Sequence, residues 1–274
     1  MLSAKSHPPI RIGAVTYLNA RPLTFCLPRL APQAEIVVDV PSRLADDLAA
    51  GRLDVAMVPS IEYLRHPGYT IVSDACVACD GPVRSVKLYS RVPIEQIRTL
   101  ALDAGSRTSA AVTRIMLKER FGVEPEITPL PIGASWADAA AEAVMLIGDR
   151  GMHAPQEKFA SVWDLGEEWS RWTGMPFVFA MWLARPGVDL RGTDHLLALA
   201  RDEGITRLAE IARLEAPAVD LPEAECLAYL RDHLEFRLGD RQRQGLQLFY
   251  ELAGRHRLAP AGAELVFYNR TSAR

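Results

Sequence analysis

Short apolar runs of strand length alternate with helical patterns from the start of the chain, and this restricts it to an α/β class built on open, largely parallel sheets. Residues 10–15 read as a first strand and 36–40 as a second. Residues 42–51 place Leu44 and Leu48 one turn apart and end in a glycine, the pattern of a helix with a C-terminal stop. Residues 54–59 then read as a strand, with Ser60 placed to cap a helix after it. Strand, turn and helix follow one another directly over 100–117. Further strands are expected at 127–130 and 144–147, with the Ala-rich 136–142 as the helix between them. Residues 177–183 are the last strongly apolar strand. Helical periodicity dominates from about 194 to 257, and 265–268 reads as a strand returning to a sheet.

A middle βαβ block flanked by elements that must pack together predicts two lobes, the second inserted into the first. The expected division is residues 1–88 with 182–274 in one lobe and 89–181 in the other. Crossover strands near 84–92 and 176–184 would form the hinge. At 274 residues and 49% hydrophobic, the chain can bury about two domain cores without metal or disulfides.

A formal net charge of -3, with both signs interspersed, excludes a general polyanion binder such as a nucleic-acid protein. No apolar run reaches the roughly 18 residues of a membrane span. The N-terminus has no apolar stretch of signal-peptide length, so a cytoplasmic location is expected. Cys76 and Cys79 form a C-x-x-C. They lie on a strand reading rather than at a helix start, and no second pair completes a zinc site. Buried structural thiols are the expectation, and no metal or cofactor is called for. P-loop, dinucleotide-binding and nucleophile-elbow motifs are all missing. None of the six histidines forms a ligand pair. His7 and His66 sit beside prolines, and His153 reads as a solvent-exposed loop residue.

An anion must therefore be met locally. In open α/β sheets ligands gather beyond the carboxyl ends of strands, where helix N-termini present unpaired N–H groups. Three turns qualify: Thr16-Tyr17-Leu18-Asn19, Pro59-Ser60, and Gly105-Ser106-Arg107-Thr108-Ser109. The last offers a glycine, three hydroxyls and a cation at a helix start, a set suited to a carboxylate or phosphate. Its structural alternative is a Ser106 helix cap beside a solvated Arg107. Asp149 ends the apolar run 144–147 and is expected to point into the cleft, or else to cap the next turn.

Taken together these segments resemble the menaquinone-pathway chorismate dehydratases of the futalosine route. The resemblance runs over most of the chain: Gly13 to Leu23 with Tyr17-Leu18-Asn19, Asp54 to Tyr63, Asp80 to Val86, Leu102-Asp103 with Ser106 to Ser109, Leu146 to Asp149, and Asp164 to Trp169 with Thr173-Gly174 and Pro176 to Phe179. It implies a periplasmic-binding-protein-like (type II) fold, two lobes around a central cleft. It also implies cofactor-free conversion of chorismate to 3-[(1-carboxyvinyl)oxy]benzoate and water. The related 1,4-dihydroxy-6-naphthoate synthase carries a catalytic His in an I-H-E stretch where this chain has Ile147-Gly148-Asp149, which favours the dehydratase.

On this resemblance one substrate carboxylate is assigned to Gly105, Ser106, Arg107, Thr108 and Ser109, and the other to the vicinity of Ser85 and Ser60. Asn19 would hydrogen-bond the substrate and the charge developing on it, while Tyr17 and Trp182 would wall the cleft. The proton acceptor is either Asp149 or the substrate's own enolpyruvyl carboxylate. The rival from another class is a non-catalytic binder or sensor of a small aromatic or dicarboxylic acid, since fold alone does not imply chemistry. Monomer and homodimer both remain open. Leu246, Phe249 and Leu252 have the i, i+3 spacing of an ordinary core stripe.

Overall fold

The computed structural model describes residues 8–153, 157–262 and 264–268. His7 and the start of the N-terminal stretch considered as a leader lie outside the described residues. The strands are β1 (Arg11–Val15), β2 (Glu35–Asp39), β3 (Val55–Pro59), β4 (Thr70–Cys79), β5 (Lys87–Ser90), β6 (Thr99–Asp103), β7 (Glu126–Leu130), β8 (Ala143–Leu146), β9 (Ser161–Asp164), β10 (Phe177–Ala184) and β11 (Glu235–Arg237). The helices are α1 (Arg21–Thr24), α2 (Leu27–Leu30), α3 (Pro41–Ala49), α4 (Glu62–Arg65), α5 (Arg107–Phe121), α6 (Leu165–Thr173), α7 (Thr193–Thr206), α8 (Leu208–Glu215), α9 (Glu223–Asp232) and α10 (Asp240–Arg255).

Two sheets result, ordered β11-β4-β10-β3-β1-β2 and β7-β6-β8-β5-β9. In the first, β1 runs parallel to β2 and β3, so the ends of β1 and β3 point the same way. The long apolar strand β10 enters antiparallel between β3 and β4, and all eight of its residues are buried. The chain leaves this sheet at Cys79 and returns at Phe177, which is Cys79's register partner, so the two connections between sheets lie side by side. In the second sheet β6 is parallel to β7 and β8, while β5 is antiparallel to β8 and β9.

Sheet membership differs from the expected lobe boundaries. Residues 177–181 belong to the first sheet, because a continuous apolar run is buried on both faces between two neighbours. Lys87 and Leu88 belong to the second. The expected helix over 136–142 is only a 3-10 turn at Trp136–Asp138. There Arg91 donates to the carbonyls of Ala139 (3.4 Å) and Ala141 (2.6 Å) and lies over the Trp136 ring, giving those carbonyls a partner other than a helical N–H. The expected terminal strand reduces to one bridge, Ile71 with Phe267.

Caps fix the elements that border the cleft. Ser106 accepts from Ser109 N–H at the start of α5, and Gly122 ends that helix in the left-handed region at φ 68°. Asp164 accepts from Gly166 and Glu167 N–H at the start of α6. Its carboxylate also accepts from Val83 N–H (2.8 Å) and Arg84 N–H (2.6 Å), tying the first inter-sheet connection to that helix. Gly166 is required for this approach, since a Cβ there would lie 2.5 Å from Cys79 Sγ and from Gly81 O. Cys79 is thus a packed core thiol, and burial pushes both its pKa and that of Cys76 up. Leu246, Phe249 and Leu252 are buried on α10 as a core stripe. No described helix is long and apolar enough to cross a membrane, and no group of three metal-ligating side chains occurs among the described residues.

Candidate functional site

A narrow cavity lies where β1, β3, β4 and β10 of the first sheet face β8 and α5 of the second. Its polar lining comes from Tyr17, Asn19, Ser106 and Ser109, and its apolar walls include Val15, Met57, Val77, Val86, Ile147 and Phe179. No described lining residue carries a charged side chain. Two of the three strand-end turns singled out in the sequence therefore meet at one place.

Tyr17 follows β1 and lies across two glycines of the second sheet. A Cβ on Gly148 would come within 2.8 Å of the Tyr17 ring, and one on Gly105 within 3.0 Å of its hydroxyl. Gly148 also has φ 66° and ψ -153°, a conformation open essentially to glycine alone. Burial, reinforced by the Asp103 carboxylate, pushes the Tyr17 phenol above its ordinary range, so it stays neutral and can donate a hydrogen bond. Asp103 itself is buried. It accepts from Gly105 N–H (2.8 Å), Ile147 N–H (3.2 Å) and the Arg150 guanidinium, and so shapes the floor on which Tyr17 rests.

The start of α5 splits its residues by direction, as a helix advancing about 100° per residue must. Ser106 and Ser109, one turn apart, face the cavity, with their hydroxyls 3.0 Å from each other. Arg107 and Thr108 do not reach the lining, contrary to expectation. Arg107 pairs with Asp46 at 2.6 Å and Glu62 at 3.4 Å. Thr108 Oγ1 accepts from Ile61 N–H at 3.1 Å, and the Gly105 carbonyl accepts from Ser42 N–H at 3.1 Å. All of these partners belong to the segment carrying the first sheet, so these three residues join the two halves of the molecule.

Ser60 is likewise displaced from the assigned role. It is fully buried, its hydroxyl donates to Val178 O (2.8 Å) and its carbonyl accepts from Tyr250 (2.7 Å). Trp182 is a core residue and walls no cleft; it is fully buried, and its Nε1 has no hydrogen-bond partner among the described residues. Ser85 is buried behind Val86, where its Oγ accepts from the Tyr229 hydroxyl at 2.7 Å. Asp149 stands outside the lining and accepts from Leu18 N–H at 3.0 Å, bridging the turn after β8 to the turn after β1. Burial, followed by the nearby Glu215 charge, outweighs that hydrogen bond and holds the Asp149 carboxyl up to about 6. His153 is exposed, as expected of a loop residue, with its Nε2 2.9 Å from the Val219 carbonyl.

The lining residues that sequence reasoning missed are the apolar walls. The walls are scattered singly over four strands and the positions flanking two others, and look like ordinary core positions.

Residues 10–255 match the family described as menaquinone biosynthesis. The chain is 31% identical to the chorismate dehydratase of Thermus thermophilus, over 90% of this chain and 96% of that one. It is 25% identical to the chorismate dehydratase of Campylobacter jejuni over 61% and 64%. Among solved structures it is similar to a protein of Archaeoglobus fulgidus, with a TM-score of 0.70 at 14% identity over 93% of this chain and all of that one. It is also similar to the alkanesulfonate-binding protein of Xanthomonas axonopodis bound to MOPS, with a TM-score of 0.59 at 15% identity over 94% and 96%. These two likenesses show the fold, that of the periplasmic binding proteins.

Proposed function

The chain belongs to the menaquinone-biosynthesis family that includes the chorismate dehydratases, and from that premise we propose that it is a hydro-lyase converting chorismate to 3-[(1-carboxyvinyl)oxy]benzoate and water. The observation that carries the mechanism is the lining of the cavity, in which, among the described residues, neutral hydrogen-bonding groups and apolar walls stand without a charged acid or base.

Chorismate brings its own carboxylates. The hydrogen on ring C3 is vinylogous to the ring carboxylate, so its removal leaves an anion delocalised through the diene. Expulsion of the C4 hydroxyl then forms the aromatic ring, and hydroxide plus the abstracted proton leave as water. With Asp149 outside the lining and engaged by Leu18 N–H, the enolpyruvyl carboxylate tethered to C3 is the base the geometry favours. Tethering supplies the effective concentration that a separate side chain would otherwise provide.

The protein's part is orientation and electrostatics. The N-terminus of α5, with Ser106 and Ser109, receives one carboxylate. The neutral Tyr17 hydroxyl and the Asn19 amide hydrogen-bond the substrate from the first sheet and stabilise the charge spreading over it. The apolar walls hold the ring and exclude water. Gly148 argues against the sister synthase, because Tyr17 covers the position where that enzyme's His is expected and a side chain there would collide with the ring. A cytoplasmic setting fits such a biosynthetic step.

The test incubates the purified protein with chorismate, without added metal or nucleotide, and follows product by mass beside Asn19→Ala. Loss of one water, slowed by about 100-fold or more in the variant, is expected from removal of a charge-stabilising donor. Chorismate that binds and survives intact would make the protein a binder or sensor.

A further inference from the structure

We propose that Arg150 is a positioning residue for substrate binding: through the buried Asp103 carboxylate it holds the two second-sheet turns that face the cavity, and its charge keeps that carboxylate from opposing the substrate's own. The inference rests on the dehydratase reading for the identity of the anion.

Three turns of the second sheet meet at this pair. Asp103 ends β6 and is 2% exposed. Its Oδ1 accepts from Gly105 N–H at 2.8 Å, immediately before the lining residue Ser106. Its Oδ2 accepts from the N–H of Ile147, itself a lining residue, at 3.2 Å and from Arg150 Nε at 2.9 Å, with Arg150 Nη2 on the same oxygen. The remaining arm of the guanidinium, Nη1, donates to Ala134 O at 2.7 Å in the loop after β7. Asp103 is the one ion-pair partner of Arg150 among the described residues, since the adjacent Asp149 turns to Leu18 N–H.

The location of the carboxylate makes the guanidinium necessary. Asp103 lies three residues before Ser106, the N-cap of α5, and a Cβ on Gly105 would come within 3.1 Å of its Oδ1. The start of this helix carries the partial positive charge that the proposed mechanism offers to a substrate carboxylate. An uncompensated Asp103 would be a resident anion in the same field and would repel the incoming one. Paired with Arg150, the carboxylate keeps its hydrogen bonds to Gly105 and Ile147 while its charge is balanced. Arg150 does not line the cavity, so it acts through Asp103 and not on substrate.

Steady-state kinetics with chorismate test this on the full-length protein. Burial pushes the Asp103 carboxyl up, and the Arg150 charge leads the contacts that oppose this, so the comparison is made at about pH 8 to keep an unpaired carboxyl ionised. Arg150→Met keeps the apolar stem and removes the charge. Its KM is expected to rise about tenfold or more, the effect of a like charge set against a bound anion, with kcat changed less than about threefold. Asp103→Asn in the Arg150→Met background removes the unbalanced charge and keeps an acceptor for Gly105 N–H, and KM is expected to fall back by about threefold or more. A pair that served packing alone would show its recovery in Tm and none in KM. Arg150→Lys, which retains the charge, is expected to hold KM within about threefold of wild type. Arg120→Met is the matched control: it breaks a pair with the buried Glu168 (2.7 Å), about 20 Å along α5 from Ser106, and is expected to lower Tm without moving KM.

An Arg150→Met enzyme with wild-type KM, a tenfold rise of KM in Arg150→Lys on the order expected for lost charge, or a double variant whose KM stays at or above that of Arg150→Met would each overturn the assignment while the dehydratase reading stands. Wild-type protein that binds chorismate and leaves it intact removes the dehydratase reading alone, and the same variants are then compared by Kd with the same expectations. Protein that does not bind chorismate removes both.

Discussion

Asp149 offers a direct separation of proton acceptor from structural bridge. Its carboxyl is held up to about 6 against an ordinary 3.8, chiefly by burial, then by the Glu215 charge, while Leu18 N–H, His153 and Arg21 pull it down. A carboxyl whose folded pKa lies above its unfolded one favours the folded state fully below pH 3.8. That advantage is lost as pH rises through about 6, because ionisation is then easier in the unfolded chain. Between pH 5 and pH 7.5 the two pKa values give a loss of about 1.4 kcal/mol, and the whole shift corresponds to about 3 kcal/mol.

Asp149→Asn keeps an oxygen that can accept from Leu18 N–H and removes the ionisation. Urea unfolding of wild type and variant at pH 5, 6, 6.8 and 7.5 should therefore show the variant gaining on wild type by about 1 to 1.5 kcal/mol across the series. A constant offset, or a gain that falls with rising pH, would refute the burial argument. The same variant separates the two proton acceptors. If the substrate's carboxylate takes the C3 proton, kcat at pH 7.5 drops less than about tenfold; a protein base removed outright costs more, about 100-fold or above.

Three further outcomes follow from the packing. Gly148→Ala puts a Cβ against the Tyr17 ring at a positive φ, so it should cost about 1–3 kcal/mol in chemical denaturation and raise KM for chorismate. Arg107→Ala should change KM by less than about fivefold, the effect of losing an interaction of about 1 kcal/mol, because Arg107 spends its charge on Asp46 and Glu62. An Arg107 that contacted the substrate would give a larger KM change together with lower kcat. Trp182→Phe removes a buried indole N–H with no partner among the described residues, so stability should shift by less than about 1.5 kcal/mol with kcat/KM unchanged.

The alternation of strand and helix was readable because burial writes it locally. The apolar run at β10, the Leu44 and Leu48 stripe of α3 and the Gly51 stop just after it each lie within a few residues of the element they define. Shorter elements escaped. β11 has three residues and packs only at the sheet edge beside β4, so no period-two pattern can develop within it. The Ala-rich 136–142 pointed to a helix on propensity alone, which tertiary partners override; Arg91 reaches its carbonyls from β5's end of the second sheet. Asn19, Tyr17, Ser106 and Ser109 were legible as strand-end and helix-start residues. Their neighbours Arg107 and Thr108 carried the same local signal and face the other way, because Asp46, Glu62 and Ile61, which turn them, are more than 40 positions distant.

That division at the start of α5 has a mechanical consequence. Ser106 and Ser109 face the cavity, while Gly105, Arg107 and Thr108, in the same turn, hold Ser42, Asp46, Glu62 and Ile61 of the opposite half. Any separation of the two sheets must break these contacts at residues whose neighbours line the cavity, and any ligand that orders Ser106 and Ser109 restrains the turn that makes them. Tyr17 adds the same coupling from the other side, since its ring belongs to the first sheet and rests on Gly105 and Gly148 of the second. On the proposed reading, anion binding and approach of the two sheets would be contacts of one turn, and closure would exclude water as it aligned the substrate.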